Sequence, residues 1–309
     1  MRVAAVDLGT NTTRLLVADV AEGRVDEVVR REEITRLGES VDRRRILLPT
    51  AVARVRNVLV DYRRELELLG ADRVLAVATS AVRDADNGEA FLGEVEWSYG
   101  FTTRLLSGEE EAGMTLAGVA SGGPVAPWTL VVDIGGGSTE LVLVGESGVE
   151  TTLSTDAGSV RLTERFLVSD PPRGEELAAC EAHVRALLPR LAVDRAIGVA
   201  GTVATAAKVE RGGALSVHGD RLGRATVGAI LERLAALPLA ERERVHGLAS
   251  ARAPVIVAGL VVLHEILAYY DLPEVTVSER DLLDGAALAA AELPAPDASG
   301  VHPGVYTCC

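Results

Sequence analysis

Two stretches far apart in the chain carry the same order of apolar and polar positions. Val3-Ala4-Ala5-Val6-Asp7-Leu8 passes through a polar Gly9-Thr10-Asn11-Thr12 turn into Thr13-Arg14-Leu15-Leu16-Val17-Ala18, which predicts a strand, a tight turn and a returning strand. Leu130–Val144 repeats that design without a gap: Asp133 falls on Asp7, Gly135 on Gly9, Thr139 on Thr13 and Leu141 on Leu15, an offset of 126 residues (133 − 7). A second pair agrees, because Val74–Val82 resembles Ala196–Ala204 at an offset of 122 (199 − 77). Each is an apolar strand running into small residues and a helix start. Two motifs recurring in one order at nearly one offset predict a duplicated domain.

Between the strands, apolar positions recur with helical spacing. A helix is predicted from Thr50 to Gly70, with a threonine cap, apolar Val52, Val55, Leu59, Leu66 and Leu69, and a glycine stop. Others are predicted from about Glu109 to Ala120, Val160 to Leu167, Glu175 to Leu191, Val227 to Leu237, Val255 to Tyr270 and Leu282 to Glu292. Strands precede helices in both halves, so the expected class is α/β with mixed sheets. Ser121–Pro127 has linker composition just before the second copy, which places the expected domains at 1–120 and 121–292. The aperiodic remainder, 293–309, reads as a mobile tail.

Composition narrows the chemistry. A chain of 309 residues is comfortable for two cores, and no apolar run reaches the roughly 18 residues of a membrane span. Asp7 interrupts the only leader-like segment, so a cytoplasmic location is expected. Cys180, Cys308 and Cys309 form neither a disulfide framework nor a zinc spacing. A net charge of −14 opposes binding to nucleic acid or an anionic membrane. With Lys208 the only lysine, a polyanionic substrate would have to be met by arginines, backbone amides and a metal.

Candidate sites fall at the strand ends. The Gly135-Gly136-Gly137-Ser138-Thr139 turn suits a phosphate cradle, since glycine tolerates the φ values that aim successive amides into one concavity. Paired with the Thr10-Asn11-Thr12-Thr13 turn of the other copy, it would clamp a phosphate chain in a cleft between the domains. Asp7 and Asp133 end apolar strands; their partner is either a Mg²⁺ ion with its waters or their own turns. Asp133 and Glu140 flank the glycines from opposite strands, so both can address one ion. Ser107-Gly108-Glu109-Glu110-Glu111 opens a helix after a strand, which by itself is ordinary capping. At a strand end of an open α/β sheet, a carboxylate there could also deprotonate a water in line with a terminal phosphorus. Arg83 could grip phosphate oxygens or pair with Asp84 or Asp86. Gly201-Thr202 would present amides and a hydroxyl at a helix N-terminus.

Taken together, these segments resemble the exopolyphosphatase and guanosine-pentaphosphate phosphohydrolase (Ppx/GppA) family of the actin-like ATPase superfamily. The pieces are Val6–Arg14, Ala78–Arg83, Leu106–Ala112, Asp133–Glu140, Gly158–Glu164, Ala200–Thr202 and Ile256–Gly259. The resemblance implies two duplicated RNase H-like domains with mixed sheets flanked by helices. It further implies Glu111 as catalytic base, Asp133 and Glu140 serving Mg²⁺, and Arg83 and the glycine turn holding phosphate. Asp7 joins the metal set, with Thr10, Asn11, Gly135, Gly136, Gly137, Ser138, Gly201 and Thr202 at phosphate. The implied activity is release of terminal phosphate from polyphosphate or guanosine pentaphosphate, with a homodimer left open. Three departures stand out. Longer members continue into a helical C-terminal region, whose lack leads to an expected preference for short chains. Pro254 stands where members often carry aspartate, and Ala204 where some carry lysine. An actin-like kinase and a non-catalytic binder of alarmone or polyphosphate are the alternative readings.

Overall fold

A computed structural model describes residues 1–71 and 73–294. It divides into two compact units, Met1–Gly123 with the chain from Leu282 onward, and Pro124–Asp281. Unit 1 contains strands β1 (Arg2–Leu8), β2 (Thr12–Ala21), β3 (Arg24–Ile34), β4 (Arg73–Ala78) and β5 (Thr102–Leu105) in the order β3-β2-β1-β4-β5. β1 runs antiparallel to β2 and parallel to β4, and β4 runs parallel to β5. Unit 2 holds β6 (Thr129–Ile134), β7 (Thr139–Gly145), β8 (Gly148–Thr155), β9 (Arg195–Val199), β10 (Arg221–Gly223) and β11 (Glu274–Val277), in the order β10-β11-β9-β6-β7-β8. From β8 to β11 this is the order and sense of unit 1, with β10 added antiparallel at the edge. The duplication expected from the 126-residue offset is present, in RNase H-like form.

Both faces of the first sheet are covered, which is why β1 reads as an uninterrupted apolar run. Ala4, Val6 and Leu8 point into a core with the helices Pro49–Leu69 and Gly88–Tyr99. Val3 and Ala5 point into a second core with Leu106 and the helix Leu282–Glu292. Asp7 follows the odd-numbered positions, so it shares the face on which Met114 of the helix Gly108–Ala120 packs. One core fills unit 2.

The helix Leu282–Glu292 corrects the expected boundary of 121–292. It packs on β1, β2 and β4 and on the helix Gly108–Ala120, all in unit 1. Gly285 lies so close to that helix that a Cβ on it would come 1.9 Å from the Met114 carbonyl oxygen, and Asp284 is buried in an ion pair with Arg30 of β3 at 2.9 Å. From residue 295 on, the expected tail lies outside the described residues, as do Cys308 and Cys309.

Smaller differences have local causes. The helix predicted from Thr50 begins at Pro49 after an extended Leu48, with no threonine cap, because proline's fixed φ and missing N–H suit the first helical position. It ends as expected at Gly70, φ 67°. The helix Gly174–Leu187 stops short of Leu191 because Leu188 precedes Pro189 and turns extended. β3 and β8 give no apolar signal: they are edge strands whose polar faces discourage further pairing.

Candidate active site

The turns at the strand ends have one construction in both units. Gly9 N–H donates to Thr12 O at 3.0 Å, and Gly135 N–H to Ser138 O at 3.0 Å. In unit 2 the turn carbonyls are then taken up by the start of the helix Ser159–Phe166. Gly135 O accepts from Ser159 N–H at 2.9 Å, Gly136 O from Val160 N–H at 2.8 Å, and Gly137 O from Arg161 Nε at 2.7 Å. A trans peptide directs its C=O and the following N–H oppositely. Tethering three carbonyls to the helix therefore aims the N–H groups of Gly136, Gly137 and Ser138 away from it, together on the other side. Backbone amides that converge in this way can cradle an anion.

None of Gly135, Gly136 and Gly137 adopts a positive φ, so the expected reason for glycine does not apply to the turn. Close approach acts at Gly158, across from the turn: a Cβ there would lie 2.3 Å from Gly136 O and Gly137 C. Gly158→Ala is expected to push the helix off the turn and destabilise unit 2 by about 1–3 kcal/mol, read as a lowered urea midpoint, with a weaker phosphate affinity alongside. Unit 1 braces its turn more lightly. Thr10 O accepts from Gly38 N–H at 2.7 Å, Asn11 O from Arg36 N–H at 2.9 Å, and Thr13 O from the buried Tyr62 hydroxyl at 2.9 Å.

The acids of the two hairpins occupy equivalent positions with different neighbours. Asp7 sits directly across from Arg14, and Asp133 directly across from Glu140; positions 14 and 140 differ by the same 126 residues. Arg14 Nη2 meets Asp7 Oδ2 at 2.8 Å, with Nε at 2.9 Å. The Asp7 carboxylate thus has a guanidinium partner that neither sequence reading supplied. Asp133 and Glu140, by contrast, place two carboxylates side by side with exposures of 7% and 1%, and Glu140 Oε1 accepts from Ser154 Oγ of β8 at 2.8 Å. Directly opposite Cβ atoms stand about 4.5–5.5 Å apart, so the pair concentrates negative charge where a cation can be held. Among the described residues no group of three or more metal-ligating side chains converges. Two carboxylates fit Mg²⁺, which keeps several waters and takes the remaining oxygens from substrate phosphate.

The helix Gly108–Ala120 separates its three first-turn acids. Ser107 Oγ accepts from Glu110 N–H at 3.2 Å and Glu110 Oε2 from Ser107 N–H at 2.9 Å, a reciprocal cap. That backbone bond, then Arg104, holds the Glu110 carboxyl below its usual range. Glu109 is exposed. Glu111 alone turns inward, 7% exposed, with its Oε2 3.3 Å from Arg83 Nη1. Arg83 Nη1 also donates to Leu106 O at 2.6 Å, while Nε and Nη2 take no partner among the described residues. Because β1, β4 and β5 end in register (Leu8 beside Ala78, Ala78 beside Leu105), the Gly9–Thr12 turn, Arg83 and Glu111 share one sheet edge.

In unit 2, β6 and β9 end together, Asp133 beside Val199. Ala200, at φ 64°, turns the chain into the helix Ala200–Glu210. The Thr202 hydroxyl donates to Ile134 O at 3.4 Å, so it ties that helix to β6 rather than pointing outward. Against Gly201 lies the Arg252 guanidinium, 1.8 Å from where a Cβ would stand.

Sequence reasoning missed Arg14, Ser154, Arg161 and Arg252. Arg14 was within reach, since a turn closed between Gly9 and Thr12 pairs 8 with 13 and 7 with 14. The others arrive from elements that no local pattern connects to the turn.

A duplicated RNase H-like fold whose strand ends carry convergent backbone amides, a buried carboxylate pair and an inward glutamate beside an arginine has the parts with which phosphate can be bound. The Ppx/GppA phosphatase family model matches residues 16–292. Exopolyphosphatase 2 of Mycobacterium tuberculosis is 37% identical over 316 aligned residues, covering 94% of this chain and 98% of its own. The crystal structure of the Aquifex aeolicus Ppx/GppA family member is 30% identical with a TM-score of 0.78, covering 94% and 97% of the two chains. An exopolyphosphatase from Cytophaga hutchinsonii, 24% identical with a TM-score of 0.85 over 92% and 96%, shares the fold. The chain belongs to the Ppx/GppA phosphatase family and is a phosphoanhydride hydrolase. The family acts with a divalent metal, and no described helix is long and apolar enough to cross a membrane.

Proposed function

We propose that the chain releases terminal phosphate from inorganic polyphosphate, with Glu111 as the general base and Mg²⁺ held by Asp133 and Glu140. The carrying observation is the separation of the three acids: Glu110 is committed to the cap, Glu109 faces solvent, and Glu111 is buried beside Arg83. The name of the M. tuberculosis relative supports polyphosphate as the substrate class.

Glu111 accepts a proton from water as the water oxygen attacks the terminal phosphorus. The bridging P–O bond breaks, its electron pair leaves on the shortened chain, and inorganic phosphate is released. Each unit brings amides of its own for non-bridging phosphate oxygens: those of Gly136, Gly137 and Ser138 in unit 2, and in unit 1 that of Asn11, whose N–H points away from the Thr10 carbonyl braced by Gly38. The helix start at Gly201-Thr202 offers further amides. Arg83, gripping Leu106 O and Glu111 through Nη1, orients the base and offers its other nitrogens to phosphate. When bound, Mg²⁺ supplies positive charge to the phosphate oxygens. Asp7, already paired with Arg14, holds that arginine at the turn. Such positioning and charge stabilisation is most of what phosphoryl transfer asks of a protein.

Phosphate release from polyphosphate, guanosine pentaphosphate and ATP, each with and without Mg²⁺, tests the reading. Mg²⁺-dependent turnover fastest on polyphosphate is expected. Turnover of ATP only in the presence of a hydroxyl acceptor would point to a kinase, and tight binding without release to a non-catalytic binder.

A further inference from the structure

We propose that Arg43, Arg44 and Arg45 form an anion subsite for the internal phosphates of a linear polyphosphate, beyond the terminal phosphate engaged at the strand ends of unit 1. The proposal rests on the reading above and extends it to how the rest of the substrate is held.

Three consecutive exposed arginines stand out in a chain of net charge −14. Among the described residues none of the three guanidinium groups has a hydrogen-bond or ion-pair partner. Neighbouring arginines of the same unit are occupied: Arg30 by Asp284 and Glu27, Arg31 by Glu65, Arg54 by Glu39, Arg56 by Glu94. Glu39, an acid close in sequence, is therefore taken, and Asp42 offsets only part of the run. Three like charges side by side repel one another, and a polyanion relieves that repulsion.

The run is also held in a fixed place. It forms one helical turn, Val41–Arg44, flanked by Ser40 at φ 63° and Arg45 at φ 58°. Two left-handed non-glycine residues persist only where surrounding bonds impose them. At one end, Arg36 and Gly38 N–H groups bond to Asn11 O and Thr10 O at 2.9 and 2.7 Å, and Val41 N–H bonds to Gly38 O at 3.1 Å. At the other, Arg45 O accepts from Asp86 N–H at 2.7 Å, and the Leu47 backbone is held by the Asn87 side chain at 2.8 and 3.0 Å. The arginine turn is thus strung between the Thr10–Asn11 turn, assigned to the terminal phosphate, and the Asp86–Asn87 segment that follows Arg83. A chain gripped there would continue past the arginines.

The triple variant Arg43→Gln, Arg44→Gln, Arg45→Gln tests this by phosphate release from tripolyphosphate and from a long, size-selected polyphosphate, each at two salt concentrations. Circular dichroism and Tm confirm that the variant folds. The long chain should lose about tenfold in kcat/KM, with a shallower salt dependence, as expected when phosphate contacts are removed. Tripolyphosphate should change by less than about twofold at moderate salt, where distant exposed charges are screened. Unchanged kinetics on the long chain, or equal losses on both substrates, overturn the subsite while leaving the hydrolase reading intact. A wild-type protein that releases phosphate from neither substrate takes down both. If the variant keeps its long-chain kinetics but loses RNA binding, the run serves nucleic acid instead and the subsite proposal fails.

Discussion

Glu111→Gln is expected to lower phosphate release from polyphosphate by roughly 10²- to 10⁴-fold, the usual worth of a positioned general base. The amide keeps the shape of the side chain and can still accept a hydrogen bond from Arg83, yet it cannot take the proton from water. Folding should be nearly untouched: Arg83 keeps its bond to Leu106 O, and its side chain is 27% exposed, so water relieves the lost charge partner. Calorimetry should show Tm within a few degrees of wild type, and titration should show polyphosphate still bound. The companion Glu110→Gln should do the reverse, sparing turnover while weakening the helix start. Because the cap holds the Glu110 carboxyl low, its contribution is in place at neutral pH and fades as pH falls through the folded-state value. Wild-type turnover in Glu111→Gln would remove the assignment.

Backbone repetition was legible from the chain because it is written in apolar spacing. The hairpins β1–β2 and β6–β7 follow from alternation around a polar turn, and their shared closing bond, Gly9 to Thr12 and Gly135 to Ser138, explains why the 126-residue offset holds without a gap. What spacing could not show was which of Glu109, Glu110 and Glu111 turns inward. All three favour a helix N-terminus equally by charge, and only the reciprocal Ser107–Glu110 bonds and the packing of the helix against unit 1 separate them. The role of glycine in the second turn was also hidden. Conformational freedom is the default explanation, yet none of the three glycines of that turn adopts a positive φ; the close approach belongs to Gly158, where a Cβ would meet the backbone of the turn. The helix Leu282–Glu292 was placed correctly as an element and assigned to the wrong unit, since periodicity reports that a face is buried and not against what. Gly285 carries that information only once its proximity to Met114 is known.

Asp133→Asn should separate binding of the metal from stability of the fold, in opposite directions. In the wild-type protein without divalent metal, two buried carboxylates face each other across β6 and β7, and like charges so placed are destabilising. Neutralising one should therefore leave Tm in EDTA equal or higher, by an amount corresponding to about 1 kcal/mol. Mg²⁺ then reverses the order. A cation that binds only the folded protein adds about 2.7 kcal/mol at a hundredfold excess over its Kd; the wild type should show that rise, and the variant, with one ligand lost, should show little of it. Turnover should fall by at least about 100-fold, since the lost charge stabilisation amounts to several kcal/mol. The first hairpin supplies the internal control. There the equivalent of Glu140 is Arg14, already neutralising Asp7 at 2.8 Å, so Asp7→Asn strands a guanidinium and should lower Tm in EDTA, with the Mg²⁺-dependent rise preserved. An Asp133→Asn protein that is destabilised in EDTA and still gains stability from Mg²⁺ would place the ion elsewhere.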